Sequence, residues 1–232
     1  MSLSLVHVGE RYSVPARSRE ARRRLYNSVS VSASIQSIVF DIGWVLVHLD
    51  YSPLTTFLRE HGADIASMRD VTSRIGLEQH ECGTLAGEEL LENLARLGRR
   101  PMSRPELRRR WLDMFEPQEP MLALARDLAE RYRVHLLSNV GELHWEHMVR
   151  EYDLDRLGHG TLPSYVAGVM KPHPEIYAQA ERRFGLQPEA TVFIDDLPQN
   201  VAAARARGWH GIEHRTHAAT VRALAALGVS SQ

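Results

Sequence analysis

A short apolar run, Ile38-Val39-Phe40, stops at an acid, Asp41, and a glycine, Gly43, stands two residues further on. This stretch narrows the possible folds more than any other in the chain. A buried strand of a parallel sheet is apolar throughout, and it delivers the residue after it to the carboxyl edge, where open α/β sheets bind ligands. Glycine permits the tight turn that follows. Asp41 therefore reads as a candidate nucleophile or metal ligand. A strand-ending aspartate that only serves a turn is the plainer alternative.

Further strands are predicted at Val134–Ser138, Tyr165–Val166, Thr191–Asp195 and His210–Glu213. Helical patterns separate them. Residues 175–184 set Ile176, Tyr177, Ala180 and Phe184 on one face ahead of Gly185. Residues 198–207 open with Pro198 and run to Gly208, and Val221, Leu224 and Ala225 continue the pattern to Gly228. Such alternation calls for an α/β fold, a Rossmann-like doubly wound parallel sheet with right-handed crossovers. Residues 35–50 and 121–232 are expected to build it. The block 51–120 breaks the alternation and reads as helices only, with apolar positions such as Leu54, Phe57 and Leu58, Leu90, Leu91 and Leu94, and Leu107, Trp111 and Met114. One crossover needs only one helix. The surplus is expected to form a small all-helical cap inserted after the first strand, over the carboxyl edge of the sheet.

Lysine and arginine together number 28, yet Lys171 is the only lysine. An ammonium is a compact point charge where arginine is a planar fork. A lone lysine among arginines is thus expected to stand where that chemistry is needed, with codon bias as the alternative. It lies between the apolar Tyr165-Val166-Ala167 and a helix opened by Pro174, which places it beyond a strand end. The net charge of −1 gives no argument for nucleic acid or an anionic membrane as a partner, and no apolar run approaches the length of a membrane span. Cys82 is the only cysteine, which excludes a disulfide framework or a multi-cysteine zinc site and suits a reducing, cytoplasmic setting. Residues 1–34 hold Arg11, Arg17, Arg19, Arg22, Arg23 and Arg24, many serines and no sustained apolar period. They are expected to be a poorly packed basic extension.

Asp41, Ser138-Asn139, Lys171 and Asp195-Asp196 now fall in order along the chain. With their neighbours, Phe40-Asp41-Ile42-Gly43, Leu136-Leu137-Ser138-Asn139, Met170-Lys171-Pro172 and Ile194-Asp195-Asp196-Leu197-Pro198-Gln199-Asn200 resemble the four motifs of the haloacid dehalogenase (HAD) superfamily of hydrolases. The similarity spans roughly residues 36–215 and includes the helical insert, where a C1-type cap belongs. The wording is most similar to the subgroup of the alpha-glucose-1-phosphate phosphatases and the phosphatase domain of epoxide hydrolases. Glu81-Cys82-Gly83-Thr84-Leu85 and Glu88-Glu89-Leu90 also resemble that subgroup, with Ala86 where it often has Ser or Thr. The resemblance implies a Mg²⁺-dependent phosphatase of a small phosphorylated metabolite, such as a sugar phosphate, working through an aspartyl-phosphate on Asp41. It implies Mg²⁺ ligation by Asp41, Asp196 and the main-chain carbonyl of Gly43, with Asp195 and Asn200 orienting the ligands from behind. Lys171 is implied to balance the charge of nucleophile and phosphate, and Ser138 and Asn139 to bind the phosphate.

Phosphatases of this family usually carry a second aspartate two residues after the nucleophile, where it protonates the leaving alcohol. Gly43 stands there instead. General acid–base help is worth about 10²–10⁴ in rate, so three outcomes stand open. The substrate has a good leaving group; or another residue, with His48 and Asp50 as candidates, takes the acid's place; or the protein is a weak or non-catalytic binder of a phosphorylated ligand. A 2-haloacid dehalogenase is the other enzymatic alternative. It works without metal and has no use for Asp195-Asp196, and it favours an arginine soon after the nucleophile, where residues 41–50 hold none. His144 and His147 lie one helical turn apart without a further ligand and are expected at the surface. Arg108-Arg109-Arg110 is expected to be a solvated helix face, and Trp44 to pack under its loop or line the mouth of the cap.

Overall fold

The computed structural model describes residues 34–230, so the extension expected over residues 1–34 lies outside the described residues but for Ser34. Seven strands follow in chain order: β1 (Ser37–Phe40), β2 (Val47–Leu49), β3 (Phe115–Pro117), β4 (Arg133–Ser138), β5 (Gly160–Pro163), β6 (Thr191–Asp195) and β7 (His210–Glu213). The helices before β4 are α1 (Ser52–Glu60), α2 (Met68–Ile75), α3 (Leu77–Glu81), α4 (Gly87–Ala95), α5 (Arg104–Leu112) and α6 (Glu119–Ala129). Those after it are α7 (Glu142–Tyr152), α8 (Ser164–Ala167), α9 (Pro174–Phe184), α10 (Pro198–Ala206) and α11 (His217–Ala226).

The apolar run before Asp41 forms the middle strand of a parallel sheet in the order β5-β4-β1-β6-β7. The chain winds outward from β1 through β4 to β5, then returns to the other side of β1 for β6 and β7. This reversal makes β1 and β6 a topological switch point, the crevice in which open α/β sheets bind ligands. Side chains alternate faces along each strand. Ile38, Phe40, Val134, Leu136, Val192 and Ile194 join one core, and Val39, Leu137 and Phe193 the other. Leu122, Ala125 and Leu128 of α6 and Leu224 of α11 cover the first face; Ile176, Tyr177 and Ala180 of α9 and Ala204 of α10 cover the second. On that second face Tyr177, Phe193 and Trp209 meet edge to face with ring centroids 5.7 to 6.0 Å apart. The local signals agree with these elements: α9 starts at Pro174 and ends at Gly185 in the left-handed conformation, φ 63°.

Between β2 and β4 the chain departs from the alternation, as its composition predicts, but not as helices alone. β3 pairs antiparallel with β2, Leu49 opposite Phe115 and Val47 opposite Pro117, and ties the two ends of the helical excursion together. Three residues are too few to show a period, so only the tertiary pairing defines this strand. The first core runs unbroken from Phe40 and Ile42 into Leu54, Leu58, Leu90, Leu94 and Trp111 of the helical excursion. The described residues accordingly form one compact unit. The strand expected at Tyr165–Val166 is the second correction. Those residues lie in α8, and the edge place beside β4 belongs to Gly160–Pro163. A short apolar run does not distinguish strand from helix, and Pro163, which has no N–H to give, suits the end of an edge strand. No helix among the described residues is long and apolar enough to cross a membrane.

Candidate active site

Register sets the site. Phe40 pairs with Leu136 on one side and Ile194 on the other, so Asp41 and Asp195 leave adjacent strands at one level. Asp41 N–H donates to the carbonyl of Ile194, 2.9 Å. The turn after β1 is tight, because the carbonyl of Ile42 accepts from the N–H groups of Val45, Leu46 and Val47. Trp44 occupies the left-handed region there, φ 58°, and is exposed, its ring edge-on to His48 at 4.4 Å. Its exposure rules out packing under the loop. Oδ1 of Asp41 accepts from Ile42 N–H (2.7 Å) and from Ser138 Oγ–H (2.8 Å), and lies 2.7 Å from Nζ of Lys171. Oδ2 makes no hydrogen bond among the described residues. Three donors thus pin one oxygen and leave the other open.

Lys171 reaches this point from the loop between α8 and α9 rather than from a strand end. Asn139 holds it there: Asn139 Nδ2–H donates to the Lys171 carbonyl (2.9 Å) and Lys171 N–H donates to Asn139 Oδ1 (2.8 Å). The Asn139 side-chain amide is thus engaged with the main chain of Lys171 and acts as a strut for the lysine. Nζ is buried and bridges Asp41 Oδ1 and Asp195 Oδ2, 2.7 Å from each. Burial works against its charge, but the two carboxylates overcome this and raise the ammonium above its usual range.

The two acids after β6 differ sharply. Asp195 is fully buried and saturated: it accepts from Lys171 Nζ, from Leu197 N–H (2.9 Å) and from Asn200 Nδ2 at both oxygens, 3.0 and 3.1 Å. Asn200 is itself fixed by α10, and its carbonyl accepts from the Tyr177 hydroxyl (3.0 Å). Asp196 is half-buried, and its carboxylate has no side-chain partner among the described residues. Burial, then the charge of Asp195, raises its pKa. Asp41 is pushed up to about 7 by burial against the pull of Lys171. Carboxyl oxygens of Asp41, Asp195 and Asp196 lie within 4.8 Å of one another. A set made wholly of hard oxygens, with more negative charge than one ammonium neutralises, fits a small divalent cation.

Across from the sheet edge stands a residue that pattern reading passed over. Glu81 ends α3, and its carbonyl accepts from Ser164 Oγ–H at 2.6 Å. Ser164 is wholly buried and its Oγ also accepts from Val140 N–H (2.9 Å), so one hydroxyl ties α3 to the loop that follows Asn139. The approach is close throughout. A Cβ on Gly83, at φ +73°, would stand 2.4 Å from the Tyr165 carbonyl, and one on Gly141 would stand 2.1 Å from the His80 ring. The Glu81 carboxylate is half-buried without a hydrogen bond or ion pair among the described residues. Burial and the charge of Asp41, opposed by Lys171, push it up to about 7. The only sequence signal was the Glu81-x-Gly83 spacing, since a glutamate near Glu78 otherwise reads as surface charge.

The other candidates settle elsewhere. Asp50 accepts from Ser52 N–H and Oγ–H at the start of α1, and His48 packs on Trp44. His144 and His147, expected at the surface, are buried in the helical core. His144 stacks on Trp111 (4.6 Å) and its Nε2 bonds the Trp111 carbonyl (3.0 Å). Arg108, Arg109 and Arg110 do form a solvated face, paired with Glu88, Glu106 and Asp113.

Comparison with known proteins agrees with this geometry. A family model described as a haloacid dehalogenase-like hydrolase matches residues 35–208. A D-ribitol-5-phosphate phosphatase of Bacteroides thetaiotaomicron is 29% identical over 184 residues, covering 75% of this chain and 89% of its own. A HAD-like hydrolase from Porphyromonas gingivalis superposes with a TM-score of 0.71 at 26% identity, covering 86% of this chain and all of its own. A HAD family enzyme from B. thetaiotaomicron, crystallised with magnesium and inorganic phosphate, has the same fold with a TM-score of 0.71 at 24% identity, covering 78% of this chain and 95% of its own. The switch-point carboxylates, the bridging lysine and the matched span lead to one conclusion: this chain belongs to the haloacid dehalogenase-like hydrolase family.

Proposed function

We propose that the protein is a phosphatase that hydrolyses a small phosphate monoester, a sugar or polyol phosphate, through an aspartyl-phosphate on Asp41. The observation that carries this reading is the bridge of Lys171 between Asp41 and Asp195 within a cluster of three carboxylates. A phosphate dianion approaching a carboxylate nucleophile needs opposite charge already in place, and Lys171 supplies one unit. Asp41, Asp196 and the Gly43 carbonyl are the groups that hold Mg²⁺ in this reading, and Asp195 stays behind them, occupied by Lys171, Leu197 and Asn200. When bound, the ion supplies Lewis-acid neutralisation of the phosphoryl oxygens. In this reading the open Oδ2 of Asp41 attacks phosphorus, while Ser138, Ile42 N–H and Lys171, which contact Oδ1, hold that oxygen still. Water then cleaves the acyl phosphate and restores Asp41. The phosphatase relative from B. thetaiotaomicron supports the substrate class, and the magnesium and phosphate bound by its structural neighbour support the ion.

A p-nitrophenyl phosphate assay with and without Mg²⁺ tests the reading, extended to a panel of sugar and polyol phosphates and to 2-chloropropionate. Turnover that requires Mg²⁺ and disappears in Asp41→Asn is expected. Silence on every phosphate ester points to a binding protein, and chloride release points to a dehalogenase; either result overturns the proposal.

A further inference from the structure

Cleaving an alkyl phosphate expels an alkoxide, which needs a proton as the bond to phosphorus breaks. The switch-point residues do not hold one to give. Asp41 is the attacking group, and Asp195 accepts from three donor residues. Lys171 is shared between two carboxylates, and Gly43 has no side chain. The alkoxide departs on the side of phosphorus opposite Asp41, and the carboxyl that ends α3, Glu81, lies near enough to Asp41 and Lys171 for both charges to act on it.

We propose that Glu81, held over the sheet edge by the Ser164 bridge, is the general acid and then the general base of this site. This rests on the phosphatase reading above. Its carboxyl is half-buried and spends no hydrogen bond on the protein, so the proton remains available to a ligand. The charged and titratable groups around it are Asp41 from the sheet edge, Lys171 from the loop between α8 and α9, Tyr51 just before α1, Glu78 on its own helix, and Cys82 beside it. Burial and the negative charges among them keep the acid protonated close to neutrality, near the optimum for proton transfer.

The step balances as follows. Asp41 Oδ2 forms a bond to phosphorus. The phosphorus–oxygen ester bond breaks with its electron pair on the leaving oxygen, which takes the proton of Glu81 and departs as the alcohol. The Glu81 carboxylate then takes a proton from the water that attacks the acyl phosphate. Inorganic phosphate leaves, Asp41 is restored and Glu81 is protonated again.

The test uses the full chain and a series of substituted phenyl phosphates whose leaving phenols range from acidic to weakly acidic. In Glu81→Gln, kcat is expected to fall with every ester, because hydrolysis of the acyl phosphate loses its base, and kcat/KM, which reports the first transfer alone, is expected to fall about 10²-fold or more further at the weakly acidic end than on the p-nitrophenyl ester. Adding Gly43→Asp to Glu81→Gln should recover most of that loss, because a Cβ at Gly43 has room, its nearest neighbour being Leu49 at 3.7 Å. In carboxyl-labelled protein, the Glu81 resonance should titrate near neutrality. An equal loss of kcat/KM across the series, no loss at all, or a Glu81 carboxyl ionised well below neutral pH overturns the role of Glu81 while wild type stays active. A wild type inactive on every ester overturns the phosphatase reading itself, and this proposal with it.

Discussion

Replacing Lys171 with methionine keeps most of the stem and removes the charge. Nζ lies 2.7 Å from both Asp41 and Asp195, with 1%, 9% and 0% of the three side chains exposed. The variant therefore leaves two neighbouring carboxylates buried without their cation. Breaking a buried pair in this way costs about 3–5 kcal/mol. The loss has a pH signature. Asp41 in the fold already stands at about 7, above its ordinary 3.8, with Lys171 holding it down. A carboxyl raised on folding makes the folded state bind more protons, so stability falls as pH rises from the unfolded value through the folded one. Without Lys171 that window extends upward. Urea denaturation of wild type and Lys171→Met in EDTA should therefore show the full loss at about pH 8.5 and much less at about pH 5.5, where Asp41 takes a proton. A loss under about 1 kcal/mol at the higher pH, or one that ignores pH, refutes the account of the bridge.

Three more outcomes are expected. Ser164→Ala orphans the Val140 N–H and the Glu81 carbonyl and should cost about 1–3 kcal/mol for each group left unpaired, read by urea denaturation, with a larger fractional loss of kcat than of affinity for inorganic phosphate. Asp196→Asn should leave stability in EDTA unchanged or slightly raised, because its charge is disfavoured in the fold, yet abolish any rise in melting temperature on adding Mg²⁺. Burial pushes His144 down to about 3, so it weakens the fold as pH drops from 6.5 toward 3. His144→Phe keeps the stack on Trp111 and should flatten the acid limb of melting temperature against pH.

How far the sequence was legible follows from what each segment must do. β1, β4 and β6 are inner strands buried on both faces, so each reads as a largely apolar run, and their bounds, like those of the edge strand β7, agree with the structure to within one residue. Asp41, Ser138, Lys171, Asp195 and Asp196 were legible because the chain places polar groups where apolar runs stop. β5 and α8 were not: Gly160-Thr161-Leu162-Pro163 is an edge strand with little apolar content, and the more apolar Tyr165-Val166-Ala167 took its place in the pattern. β3 exists only through its partner. His144 and His147 looked exposed because their spacing says nothing about Trp111 and Phe115, which bury them. Glu81 was hidden for a related reason. Its environment is made by residues 40 to 90 positions away, Asp41, Ser164 and Lys171, and no local period records that.

The buried ammonium of Lys171 has a practical consequence. Because Lys171 is the only lysine in the chain, an acylating reagent has a single ε-amine to modify, and it reaches that amine only when the sheet edge opens. The rate at which Lys171 acquires label, followed by mass spectrometry, is therefore a direct clock for how often the centre uncovers itself, and a bound ligand should slow that clock.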